Sequence, residues 1–485
     1  MVFGERDARP WRRFYCSMPR WARAMEIGRM RHLKAGIIFL LMMLTFVNYI
    51  QQDVFNPQQI TRLALTLAIT EGKLTIDDYA ALTVDRAEFD GHAYADKPPG
   101  LSLLAVPAVW LTRQLLGAPT GVLDQQQFAS AMLASILSTV ALLASLAAAA
   151  LYLLCRRLGV SDGAALFASC ALALATPFLG WSTTFFAHSA TGSVLLLALS
   201  LAAWGRQKPE WWIASFLGLL LGLLLTIDLV SAPAAAAVGL FYLSGRWSAV
   251  WARLAGAVMG GIAGLLPLLV YNAAAFGSPL TLGYARVVGF EGMKEGLFGL
   301  TWPNPAVAAE LLFGLYRGLL PLSPVLLLLP LGWVRMWREP SLPPLALVTL
   351  AIVAAFLVIN ASYHYWDGGS STGPRHLVGM LPAAGLVLAY ALPDGKMARA
   401  GALGLLAVSI LFSAACASLY MFADVRFPAP LFDPILPTLF SEGYWPRMLY
   451  VLVPVTGFVL LARLREQAMS PTGGPVVQLA PRPAA

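Results

Sequence analysis

The sequence predicts an all-α integral membrane protein with about twelve transmembrane helices and juxtamembrane helices in its first outer loop. Composition is the first reason: of 485 residues, 58% are hydrophobic and only 12% charged, with mean hydropathy +0.70. That is about half the charge of an average soluble domain. The second reason is distribution. Uncharged apolar runs cover residues 35–52, 125–155, 163–205, 254–285, 340–366 and 400–423, and a spanning helix needs about 20 such residues. The third is the spacing of basic residues in the turns between runs, taken up below.

Taken in order, the spans fall at 35–51, 126–154, 163–181, 188–204, 211–227, 229–244, 254–274, 319–334, 342–361, 377–392, 400–421 and 448–462. An even count puts both termini on one side. Nine Lys and Arg precede the first span, and basic pairs recur at Arg156/Arg157, Arg206/Lys208, Arg246/Arg253, Arg335/Arg338 and Lys396/Arg399. This is the positive-inside pattern, so both termini are expected in the cytoplasm. The chain divides into a basic cytoplasmic segment (1–34), a polytopic domain (35–462) and a cytoplasmic tail (463–485), which is expected to be disordered because its end is rich in Pro and Gly. Residues 35–51 lack a small-residue cleavage site and read as a retained anchor. The apolar stretch 101–116 is too short for a span, and counting it would flip every later basic pair outward. It is expected to lie along the outer surface.

The net charge of +8 follows this topology and is not gathered on a soluble domain, which argues against nucleic acid as a partner. Four cysteines (Cys16, Cys155, Cys170, Cys416) show neither metal-ligand spacing nor a disulfide framework.

Chemistry concentrates in long outer loops, near 52–125, 275–318 and 422–447, because the other connections are short. The first loop carries Asp53, Arg62, Asp77, Asp85, His92, Tyr94 and Asp96-Lys97-Pro98-Pro99-Gly100. Its carboxylates suit a proton acceptor or a metal site, although a solvated loop would also carry them. The two prolines stiffen the approach to the membrane and hold Lys97 at the water–lipid boundary, where an ammonium can neutralise a lipid phosphate. A second cluster runs from Tyr363-His364-Tyr365-Trp366-Asp367 through a Gly- and Ser-rich turn to Pro374-Arg375-His376. Its glycines allow close backbone approach, and Arg375 is a strong phosphate partner. Tyr316-Arg317 heads another span, where a lipid headgroup and simple interfacial anchoring are both served. Asp228, between two apolar runs, reads as a turn cap.

Asp96-Lys97-Pro98-Pro99-Gly100 resembles the motif of GT-C membrane glycosyltransferases of the family 39-like branch, which holds the protein O-mannosyltransferases and the lipid A aminoarabinose transferase. The helix at Thr61-Arg62-Leu63-Ala64, the Phe276-Gly277-Ser278-Pro279 loop and the Gly368-to-Arg375 turn extend the resemblance over about residues 35–380. One departure stands out. Gln59 and Ile60 replace the acidic pair that precedes Thr-Arg in better-known relatives, so the base must be another carboxylate: Asp53, Asp77, Asp85 or Asp96.

The resemblance implies sugar transfer from a polyprenyl-phosphate donor to a lipid, glycan or protein acceptor. The site is expected on the periplasmic face of a bacterial inner membrane, among membrane lipids. It further implies that Lys97, Arg375, His376, Arg62 and Arg317 bind the donor phosphate. His92, Tyr94, Tyr316, His364 and Trp366 are the candidates for the remaining substrate contacts. No cofactor is assigned, and a divalent metal on Asp96 and a histidine is left open. A lipid-linked sugar transporter or flippase and a non-catalytic protein of the same fold are the rival readings.

Overall fold

Helices form wherever the chain runs apolar and uncharged, and they stop at prolines, glycines and the charged turns. The computed structural model of the chain describes residues 20–51, 55–208, 210–245, 249–419 and 421–464. Seven of its helical stretches are long and apolar enough to cross a membrane: Gly28–Tyr49 (within α1, Arg20–Tyr49), Gln125–Arg157, Ala187–Gly205, Val250–Phe276, Pro343–Ala361, Lys396–Leu419 and Trp445–Arg463. Shorter apolar helices at Asp162–Leu174, Trp211–Ile227, Leu229–Leu243 and Arg375–Ala391 cover four more expected spans. The molecule is a multi-pass, all-helical membrane protein. Its outward faces agree: Leu40 and Leu44 on α1, and Trp251, Met259 and Ile262 on Val250–Phe276, are exposed apolar side chains of the kind lipid covers.

Two expected spans are interrupted. The run at 163–181 ends as a helix at Leu174, because Pro177 follows; the Thr176 hydroxyl then accepts from the Phe178 amide to start a short turn. The run at 319–334 is broken into Leu319–Leu322, Pro324–Leu328 and Leu329–Arg338 by prolines at 321, 324 and 330.

The first loop is folded rather than solvated. Asn56 caps α2 (Pro57–Thr70) by accepting from the Gln58 amide, and Pro57 sits at the first helical position, where no amide is needed. A two-stranded hairpin follows, β1 (Arg86–Phe89) paired antiparallel with β2 (His92–Ala95). Its Asp90-Gly91 turn has φ of 48° and 79°, as a tight two-residue hairpin turn demands. Then comes α3 (Gly100–Leu116), the helix expected outside the spans, ended by Gly117 at φ 58°. Ile60, Leu63, Ala87, Tyr94, Leu101, Phe128, Phe185 and Phe276 form a second apolar core under this loop, separate from the larger core between the spans. That second core turns the loop into a rigid cap over one end of the bundle.

We number four further helices where the site needs them: α4 (Gln125–Arg157), α5 (Asp162–Leu174), α6 (Ala187–Gly205) and α7 (Trp211–Ile227). The α7 helix packs along Val250–Phe276 through Gly218, Gly222, Gly256, Gly260 and Gly264. At each of these a Cβ would strike the other helix, so the two backbones touch as small-residue stripes allow in lipid.

Candidate active site

Arg62 is 4% exposed although it lies on a loop helix. The Ser102 hydroxyl donates to its carbonyl at 2.8 Å, stitching α2 to α3. The hairpin delivers the chain into Asp96 and Lys97 just before α3 begins. Lys97 Nζ donates to Asp96 Oδ2 at 2.5 Å, and Asp96 is 2% exposed. Gly100 explains how Lys97 gets there. A Cβ at this position would lie 2.5 Å from the Thr226 carbonyl oxygen, so only glycine lets the start of α3 touch the end of α7. That contact brings Asp228, the residue after α7, beside the motif. Asp228 caps the following turn by accepting from the Val230 amide at 3.2 Å, and Thr191 of α6 donates to it at 3.5 Å.

The opposite wall comes from distant sequence. Gly368, at φ 75°, leaves room for the Arg375 side chain to lie across the turn; a Cβ there would sit 2.8 Å from its Nε. Arg375 donates to Gln58 Oε1 at 3.4 Å, and its guanidinium lies 5.2 Å from the Phe186 ring centroid. His376 meets His188 edge to face at 5.2 Å and Tyr363 at 5.7 Å.

Electrostatics tie these walls together. Burial lowers the Arg62 pKa, and Tyr284, Asp228, Asp96 and Asp85 counter it. Burial alone would lower the Lys97 ammonium too, but Asp96, Asp85 and Tyr284 reverse the sign and hold it above its ordinary value. Burial raises the Asp228 carboxyl, with Arg62 pulling it back. Burial also raises the Tyr284 phenol. Arg375 in turn lies in the field of Asp85, Tyr363 and Asp367. Of the buried polar atoms without a hydrogen-bond partner among the described residues, six lie here: Arg62 Nε and Nη1, Asp96 Oδ1, His188 Nε2, Arg375 Nε and His376 Nε2. Native proteins leave few such atoms, and a cluster of N–H groups around cations is built to receive an anion.

The remaining candidates sit elsewhere or are differently engaged. Asp77 is at the surface, accepting from the Ala93 amide at 2.7 Å and paired with His92 Nδ1 at 2.8 Å. Both line a cleft of about 500 Å³ beside the hairpin, whose lining includes Arg86 but none of Arg62, Lys97 and Arg375. Tyr94 packs on Phe276. Arg317 is fully buried, donating to the carbonyls of Asp367 and Gly369 at 2.8 Å each, which pins the glycine turn that presents Arg375. Tyr316 donates to Asp367 at 3.1 Å and meets Trp366 edge to face. His364 pairs with Glu295 at 3.1 Å. Asp53 lies outside the described residues. Among the described residues no three His, Cys, Asp or Glu side chains are grouped to hold a metal, and Asp96 Oδ2 already accepts from Lys97.

A solved structure matches this architecture: the crystal structure of ArnT from Cupriavidus metallidurans in the apo state, with TM-score 0.50 and 17% sequence identity, over 92% of this chain and 78% of that one. The fold is GT-C. No sequence-family profile and no curated protein sequence matches the chain. The GT-C likeness therefore rests on three-dimensional structure, over 92% of this chain.

Two residues of the cluster carry signals that sequence reasoning underused, and a third carries none. His188 sits in a polar break of the long run at 163–205, and Asp228 is a lone carboxylate between two apolar runs. Tyr284 has no local signal at all.

Proposed function

We propose that the protein transfers a sugar from a polyprenyl-phosphate-linked donor to an acceptor hydroxyl at the periplasmic face of a bacterial inner membrane. The observation that carries this reading is the convergence of Lys97, Arg62 and Arg375 with partnerless N–H groups at one end of an apolar bundle. Phosphate is the anion this arrangement suits, and a lipid tail explains why it is held where the helices end.

The reaction is an inverting displacement. The acceptor oxygen attacks the anomeric carbon, and its proton passes to a carboxylate. The bond from that carbon to the phosphate oxygen breaks with its electron pair, leaving the lipid phosphate. Lys97, Arg375 and Arg62 stabilise the charge as it develops on that phosphate. Of the first-loop carboxylates, Asp85 is best suited as base. Asp96 is bound to Lys97 and Asp77 is engaged at the surface. Asp85 has no side-chain hydrogen bond or ion pair among the described residues, yet it lies in the field of Arg62, Lys97 and Arg375.

Glycan and lipid profiling of cells lacking the protein tests the reading. Complementation with wild type should restore one envelope sugar and clear an accumulated prenyl-phosphate sugar. Lys97→Ala and Asp85→Asn, expressed at wild-type level, should restore neither, with turnover down by about 100-fold or more. Normal profiles with both variants would defeat the proposal.

A further inference from the structure

The end of the bundle away from the cap gathers cations that no carboxylate balances. The α4 helix ends at Arg157. The α6 helix starts beside the cap, ends at Gly205, and leads through Arg206 and Lys208 to Trp211, where α7 begins. Aromatic rings hold these three cations. Lys208 Nζ lies 3.6 Å from the Trp204 ring centroid, and the Arg157 guanidinium lies 5.6 Å from the same centroid. Arg206 lies over Phe241 at 4.8 Å and donates to the Ser244 hydroxyl at 3.2 Å, while its buried Nε has no partner.

The charge here is one-sided. Along the chain the acidic residue nearest Arg157 is Asp162, and Lys34, Arg156 and Tyr152 already take it. Glu210, exposed at the N-cap of α7, forms an ion pair with none of the three among the described residues. Fully buried Arg253 adds to the excess, standing close enough to Arg206 to act on it as a like charge. A ring orients a cation without neutralising it, so the repulsion within the group stays.

The surroundings say what kind of anion fits. Trp211 and Trp212 are exposed in the first turn of α7, and Trp212 meets Trp204 at 6.0 Å. Trp251 is exposed in the first turn of Val250–Phe276, whose Gly256 abuts the Trp211 carbonyl. Tryptophans at helix ends mark the headgroup layer of a bilayer. Beyond them the exposed apolar side chains of Phe216 and Leu219 continue along α7. The cations therefore border a lipid-facing surface.

We propose that Arg157, Arg206 and Lys208, arranged around Trp204, bind the phosphodiester headgroup of an anionic phospholipid, whose acyl chains lie along α7. Two guanidinium forks and one ammonium supply donors for the phosphodiester oxygens, and the lipid's net charge relieves the repulsion among them. A zwitterionic lipid brings its own ammonium into the same patch and gains less. The bound lipid joins the end of α4 to the turn between α6 and α7, so it stabilises the folded chain by linkage. This site lies at the opposite end from the transfer chemistry and stands independently of it.

The test uses the full chain in nanodiscs of phosphatidylcholine with and without phosphatidylglycerol. Native mass spectrometry reads the lipid retained, and thermal unfolding reads the linkage. Wild type should retain phosphatidylglycerol in preference to phosphatidylcholine and unfold at a higher temperature when it is present. Arg157→Gln/Lys208→Gln should weaken that retention by about ten-fold or more and remove the thermal shift. Arg157→Lys/Lys208→Arg, which keeps the charge, should recover most of it. Lys396→Gln/Arg399→Gln removes two exposed cations from another turn at the same end and should leave retention near wild type. Equal retention of the two lipids by wild type, a measurement that needs no variant, would overturn the proposal. Unchanged retention in Arg157→Gln/Lys208→Gln would overturn the site. Equal losses in both charge-removing variants would overturn it too, by tracing lipid preference to the field of the whole end.

Discussion

The two ends of the helix bundle treat charge in opposite ways. At the end made of short turns, several cations of the positive-inside pattern are held by carboxylates, carbonyls and rings. Fully buried Lys34 pairs with Asp162 at 2.7 Å, and Tyr152 donates to the same carboxylate at 2.7 Å. Arg335 donates to the carbonyls of Tyr390 and Leu392 at 3.1 and 2.8 Å, while Lys208 lies 3.6 Å from the Trp204 ring centroid. At the capped end, buried Arg62 and half-buried Arg375 act together with Lys97 on His188, while unpartnered guanidinium nitrogens occur at both ends of the bundle. Charge at the first end is spread over separate architectural contacts and the lipid site proposed above. Charge at the second is gathered into one cluster, and a buried charge without a full set of partners costs stability that a ligand can return.

That contrast is sharpest in a matched pair of substitutions. Arg62→Leu should lower sugar transfer by about 100- to 1000-fold, the loss expected when a preorganised donor to developing charge is removed. The same variant should unfold at a higher temperature than wild type in the absence of donor, because an undercompensated buried cation is gone. Lys34→Met should do the reverse, costing about 3 kcal/mol of stability, the low end for a broken buried pair since Tyr152 still reaches Asp162. Transfer per folded molecule should stay near wild type. Thermal unfolding in detergent, alongside turnover normalised to folded protein, decides it. If Arg62→Leu is the less stable of the two, the difference between the ends is not one of undercompensated buried charge.

The spans were legible in the sequence because run length and basic turns report directly on a bilayer, and the structure puts helix at each expected span. The exceptions have local causes: Pro177 cuts one run short, and three prolines break the run at 319–334. Lys97 and Arg375 were legible as members of motifs with proline and glycine beside them. Their meeting across one cluster was not. It depends on Gly100 against Thr226 and Gly192 against Gly379, contacts between segments that no local pattern connects. His188, Asp228 and Tyr284 enter the cluster only through those contacts. A lone histidine at the start of an apolar helix looks the same in sequence whether it is packed or poised.

Gly100→Ala isolates the contact on which the capped end depends. The added methyl would meet backbone at 2.5–2.8 Å, from the Thr226 carbonyl to the Ile227 amide, and backbone cannot rotate away as a side chain can. The start of α3 must therefore retreat from α7, at a cost of about 1–3 kcal/mol for overpacking. Lys97 would move with it, so binding of undecaprenyl phosphate should weaken several-fold. Gly117→Ala at the far end of α3, where nothing lies within 4 Å but φ is 58°, controls for backbone strain alone. Equal loss of phosphate binding in both would mean that α3 as a whole, rather than its contact with α7, positions Lys97.

The smallest expected effect is the most selective. Burial raises the Asp228 carboxyl, while Arg62, the Val230 amide, the Thr191 hydroxyl and Lys97 act against it. A carboxyl whose folded pKa lies above its unfolded one, about 3.9, favours the folded state most when protonated. Its contribution is complete below the unfolded pKa and is lost as pH rises through the folded value. Above that folded value the wild type carries a charged carboxylate that burial opposes, and Asp228→Asn does not. As pH rises through the folded value, the variant should come to unfold at a slightly higher temperature than wild type, and the difference should close as pH falls toward the unfolded value. An advantage that stays constant with pH would trace to packing or to the amide's hydrogen bonds. Asp162→Asn supplies the contrast, because it forfeits the ion pair with Lys34 and should lose stability at pH 7. Opposite signs from the same chemical change at the two ends would locate an undercompensated carboxylate at the cap, beside the cations proposed to hold the phosphate.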